Sequence, residues 1–154
     1  MNKYVFALIA IVSSKLALAQ PELTHNDMVI KAQAFVKAKN ARQQPTTSVR
    51  DIDNFIALLA DEFVDEHVRY NFTYTDKAKL RKDMVAKLKD KVVHSQIDII
   101  DIMTGANVVF IKMMESGKIK PAHLDHEVEY EKTNIVSLEF NSDGLIKHIR
   151  RHHG

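Results

Sequence analysis

The stretch Gln96–Glu115, QIDIIDIMTGANVVFIKMME, constrains the fold more than any other part of the chain. Its two apolar runs, Ile97–Met103 and Val108–Met114, flank Thr104-Gly105-Ala106-Asn107, and turn residues between β-branched runs are what a tight hairpin requires. With Met103 opposite Val108, Asp101 faces Phe110, Ile99 faces Lys112 and Ile97 faces Met114, because antiparallel partners keep a constant index sum. One face then carries Ile97, Ile99, Asp101, Met103, Val108, Phe110, Lys112 and Met114; the other carries Asp98, Ile100, Ile102, Val109, Ile111 and Met113. Both faces are largely apolar, whereas a sheet open to water on one side alternates cleanly. Both sides are therefore expected to meet protein or a sheltered cavity.

The 154 residues make a one-domain length with room for a single core. The first 19 are set aside as a signal peptide: Lys3 is a basic lead, Tyr4–Val12 an apolar run too short to span a bilayer, and Ala17-Leu18-Ala19 a small-x-small cleavage pattern. An uncleaved anchor or a buried helix is the alternative. Cleavage after Ala19 leaves a domain of residues 20–154, expected in the periplasm of a Gram-negative bacterium or outside the cell, with no membrane attachment. It removes Lys3 and Lys15, taking Lys and Arg from 22 to 20 against 20 Asp and Glu. A neutral domain argues against nucleic acid as the partner, since a phosphate backbone selects a basic excess. With no cysteine there is neither a disulfide framework nor thiolate chemistry.

Taken in order, Thr24 or Asn26 caps a helix ending near Asn40, whose apolar residues Met28, Val29, Ala32, Phe35 and Val36 recur at helical spacing. Ser48 and Asp51 resemble a capping box opening a second helix, with Ile52, Phe55, Ile56, Leu59 and Phe63 on one face. His67–Tyr74 alternates as a strand, and Asp76 caps a third helix to about Lys91. The remainder reads as strands: the central hairpin, His126–Phe140, and Leu145–His152 after the Asn141-Ser142-Asp143-Gly144 turn. This is an α+β order, with three helices gathered on one face of a curved antiparallel sheet.

Two N-terminal helices, then DEFVDEHVRYNFTYTDKAKLRKDM and finally TNIVSLEFNSDGLIKHIRRHH, resemble the nuclear transport factor 2-like superfamily, in particular its SnoaL-like bacterial branch. The likeness covers about Met28 to His152. It implies a cone-shaped fold enclosing a mostly apolar pocket, often a homodimer through the outer sheet face. The superfamily holds isomerases, cyclases, hydrolases and pure binding modules.

Asp101 stands in an apolar run beside Phe110 and Lys112, surroundings that raise a carboxyl pKa as a proton-abstracting base requires. The competing reading is an edge or dimer-interface aspartate paired with Lys112. His67 and Arg69 share a face of the HVRYNFTY strand, near where the resemblance implies pocket residues, and Tyr130 points inward beyond them to orient a ligand oxygen. His123, Asp125, His126, Glu127 and Glu129 have metal-ligand chemistry but match no zinc spacing, so neither metal nor cofactor is expected. The leading reading is an exported domain binding a small apolar molecule, with catalysis not required by the residues. The alternatives are an isomerase, cyclase or hydrolase with Asp101 as base and His67 assisting, and a structural dimerisation module.

Overall fold

The computed structural model describes residues 22–153, and the expected signal peptide Met1–Ala19 lies outside them. Helix α1 (His25–Ala41) starts at a capping box in which Thr24 Oγ1 accepts from the Asp27 amide and the Thr24 amide donates to Asp27 Oδ2. Its buried stripe is Met28, Ala32, Phe35, Val36 and Lys39. Helix α2 (Val49–Ile56) opens the same way, the Ser48 amide donating to Asp51 Oδ2 at 2.8 Å, and buries Ile52 and Phe55. Helix α3 (Lys77–Ala86) is capped by Asp76, which accepts from the Ala78 and Lys79 amides, and continues into a 3-10 turn at Lys87–Lys89.

Six strands form one curved, unclosed sheet: β1 (Leu59–His67), β2 (Phe72–Tyr74), β3 (Lys91–Gly105), β4 (Val108–Lys120), β5 (Val128–Phe140) and β6 (Ile146–Arg151), in the order β2-β1-β6-β5-β4-β3. The sheet is mixed rather than wholly antiparallel. The chain lays β6 beside β1 only after passing through the other strands, and the two then run in the same direction. The concave face carries the core: Phe35 and Phe55 from the helices, ring centroids 5.7 Å apart, over Phe63, Ile111, Met113, Leu138, Phe140 and Ile149. Each such side chain, fully buried, contributes roughly 1.5–3 kcal/mol.

Three expectations are corrected. The second helix ends at Ile56, and Leu59 and Phe63 belong to β1. Their four-residue spacing imitates a helix face, but pairing with β6 decides the conformation. His67–Tyr74 is a reversal, not a strand: Val68–Tyr70 makes a 3-10 turn, Asn71 is left-handed (φ 47°), and Phe72–Tyr74 returns antiparallel on β1. Asparagine tolerates that backbone because its short polar side chain bonds locally. In the central hairpin the turn is Ala106-Asn107 alone, so Met103 faces Phe110 and Asp101 faces Lys112. An even shift preserves the faces, but a bulge between Ile99 and Asp101 transfers Ile97 to the inner face of Val109, Ile111 and Met113.

Candidate functional site

The parallel seam of β1 and β6 places His67 beside Arg151 and Asp65 beside Ile149, and the two-residue period turns Asp65, His67 and Arg151 to the concave face. Arg151 grips Asp65 with both prongs, Nε to Oδ1 at 2.7 Å and Nη2 to Oδ2 at 2.8 Å. Both residues are buried. A second buried ion pair joins α1 to β4, Lys39 Nζ to Glu115 at 2.7 Å, with Asn134 also hydrogen-bonded to the carboxylate.

Between these pairs and α3 lies a cavity of two adjoining compartments, about 340 and 210 Å³. Arg42, His67, Lys87, Lys132, Arg151 and His153 line both. The larger has an aromatic and apolar wall from Phe72, Tyr74, Leu80 and Met84; the smaller reaches Lys39, Glu115 and Asn134. The lining thus differs from the mostly apolar pocket expected: its floor is charged and only one wall is apolar. Tyr130 lines a further recess of about 230 Å³, which also touches Arg42, Met84 and Lys87.

Arg42, at the C-cap of α1, lies with its guanidinium 4.6 Å from the centre of the Phe55 ring. It forms no side-chain ion pair or hydrogen bond among the described residues, and its Nε is closed off from solvent with no partner. Asn134 Oδ1 and His153 Nε2 are likewise sealed and unpartnered. Burial, reinforced by the Arg151 charge, lowers Arg42 to about 10. Burial lowers Lys39 to about 7 against the pull of Glu115, with Arg42 and Arg151 adding to the fall. Burial raises Glu115, but the Lys39 ammonium together with Asn134 and Lys132 holds the carboxyl below its ordinary value. His67 is pushed down to about 4, by burial first and then by Arg151, so it is an unprotonated imidazole near neutral pH. It stacks on His153, ring centroids 5.4 Å apart, and burial lowers that ring too. Tyr74 is raised to about 12 by burial and by its hydrogen bond to Asp83.

Of the residues singled out in the sequence, only His67 and Tyr130 line these spaces. Arg69 is exposed on the Val68–Tyr70 turn and does not line the cavity. Asp101, Phe110 and Lys112 do share a face, but it is the sheet's outer one, so they are corrected out of the pocket. Asp101 and Lys112 are direct cross-strand neighbours, and Asp101 accepts from the Ile102 amide at 2.8 Å beside the bulge. Among the described residues no group of three or more His, Cys, Asp or Glu side chains is placed to hold a metal ion.

The floor residues Asp65, Arg151, Lys39, Glu115 and Arg42 were not anticipated. Two signals in the sequence point to them. Lys39 and Arg42 continue the stripe Met28, Ala32, Phe35 at three- and four-residue steps, which sends their charges inward. Glu115 follows Val109, Ile111 and Met113 at every second position, on the buried face of its strand.

No family model matches the chain, and no curated protein matches it. Solved structures do. A protein described as a SnoaL-like polyketide cyclase from Shewanella denitrificans OS-217 superposes with a TM-score of 0.68 at 9% identity, over 85% of this chain and 92% of its own. An LEH-like epoxide hydrolase of M. tuberculosis gives 0.61 at 15% identity, over 84% of each chain. An NTF2-like protein from Exiguobacterium gives 0.62 at 10%, over 80% and 98%. The chain therefore has the nuclear transport factor 2-like fold.

Proposed function

We propose that the protein binds a small organic molecule in the cavity between α1, α3 and the β1–β6 seam. One observation carries this reading: residues with unpartnered polar atoms and an apolar wall line the same half-open cavity. A packed structural module would fill that space with side chains or satisfy those groups internally. Native mass spectrometry of the chain from Gln20 onward, purified without detergent, is the test. A reproducible adduct lost when the cavity is filled by Val136→Phe supports the reading; an adduct unaffected by that change, or none with a broad metabolite extract, removes it.

A second reading is favoured by His67. An unprotonated imidazole opening onto a cavity beside an Arg-held carboxylate is equipped to accept a proton from water or substrate, as hydrolase or isomerase chemistry requires. The neighbours described as an epoxide hydrolase and as cyclases belong to this class. Turnover of an epoxide and enolisable-ketone panel, abolished in His67→Gln at unchanged melting temperature, is its expected signature. Export through cleavage after Ala19 is part of the proposal, checked by the intact mass of the protein in the periplasmic fraction. So is a homodimer through the outer sheet face, where Met103, Phe110 and Ile135 stand exposed.

A further inference from the structure

The buried floor of the cavity does not balance its charge. Lys39 is matched by Glu115 and Arg151 by Asp65, at hydrogen-bonding distance in each case. Arg42, within the same cluster, has no counter-ion, and its Nε has neither solvent nor partner. At the mouth Lys87 and Lys132 line the same space without an ion pair among the described residues. Asp83, the other carboxylate there, is taken by Lys79 and by the Tyr74 hydroxyl. Arg42 is half-buried, its Nε withdrawn from water and the residue lining the open cavity, and a guanidinium so placed without a paired carboxylate is a ready seat for an anion brought by something other than the fold.

We infer that the ligand of this cavity is an amphipathic organic carboxylate, its head on Arg42 between the two ion pairs and its apolar body along Phe72, Tyr74 and Met84. The inference rests on the proposal that the cavity binds a small molecule, and names its class. A planar guanidinium matches a carboxylate's two oxygens. Among the described residues Arg42 is the one cation of the floor without a paired carboxylate, so a single carboxylate head satisfies it, while the lysines stand further out at the entrance. Lys87 and Lys132, exposed at the entrance, raise the local concentration of anions without discriminating among them. The wall opposite supplies the apolar contact that separates this class from acetate or bicarbonate.

The test compares matched pairs on the mature chain by isothermal titration calorimetry: octanoate, 3-phenylpropionate and 1-naphthoate, each against its primary amide. At least one carboxylate should bind ten times more tightly than its amide, and Arg42→Gln should erase that ratio while leaving weak amide binding in place. Equal binding of acid and amide would overturn the carboxylate inference yet leave the small-molecule reading standing. Failure of every acid and every amide would overturn both. Should Arg42→Gln not fold, the acid-to-amide ratio in the unaltered protein decides alone, and Lys132→Gln should weaken the acids two- to fivefold with no effect on the amides.

Discussion

Arg151 and Asp65, 86 residues apart, close a two-pronged ion pair across the only parallel seam among the described strands, at the floor of the cavity. The pair ties the last strand to the first and lines the cavity. Breaking it from one side leaves a buried charge with no partner, at a cost on the order of 3–5 kcal/mol. Asp65→Asn should lower the urea midpoint accordingly. The double change Asp65→Leu with Arg151→Leu should recover much of the loss, because both desolvated charges disappear together. A single variant as stable as the parent would show that the pair contributes little.

His67 makes stability depend on pH in a defined window. Its folded value of about 4 lies below the ordinary 6.5, so between those values the unfolded chain binds more protons. Stability is therefore complete above about 6.5 and is lost as pH falls toward 4, with a limiting slope of about 1.4 kcal/mol per pH unit for one proton. The ring is partly exposed, which reduces that slope. His153, shifted in the same direction, adds to it. Chemical denaturation at half-unit steps should show His67→Gln to be flatter than the parent from pH 6.5 to 4. Parallel curves for the two proteins would contradict the assignment.

Gly117 sits opposite Tyr130 in the β4–β5 ladder, and a Cβ there would come 2.7 Å from the Tyr130 hydroxyl and 2.9 Å from the His94 carbonyl oxygen. The ring can swing aside, but the backbone oxygen cannot. Gly117→Ala should cost about 1–3 kcal/mol of overpacking. It should also displace Tyr130 from its recess, visible as a shift of its ring resonances. An unchanged melting temperature would mean that β3 and β4 separate here without penalty.

The fold was legible where local chemistry and global packing agree. The Thr24, Ser48 and Asp76 caps and the apolar runs of the central hairpin each admit one conformation, and together they carry the nuclear transport factor 2-like outline. It failed at Leu59–His67, whose four-residue spacing satisfies a helix as well as an irregular strand, and only the distant β6 arbitrates. The site was harder for the same reason. Asp65 and Arg151 meet through a parallel pairing of the first and last strands, a contact that leaves no signature in the spacing of either segment, whereas Glu115 and Lys39 could be read from theirs. Asp101 was conspicuous as a carboxylate in an apolar run, yet a bulge beside it and the outer position of its face leave it in water.

That outer face supplies the last prediction. Met103, Phe110 and Ile135 are 62, 38 and 43% exposed, on the side of the sheet opposite the helix-covered core. Phe110 lies between β3 and β5 partners, Met103 and Ser137, so a second sheet laid against it would meet it near the middle of the face. If two copies associate there, Phe110→Glu places a charge in a desolvated apolar contact and should shift the protein to monomer at tens of micromolar, read by light scattering after size exclusion. Because the change is on the solvent side of an otherwise intact strand, the monomer should keep its melting temperature to within a few degrees of the parent extrapolated to low concentration. A parent that is already monomeric under those conditions would remove the dimer and leave the apolar face to some other partner.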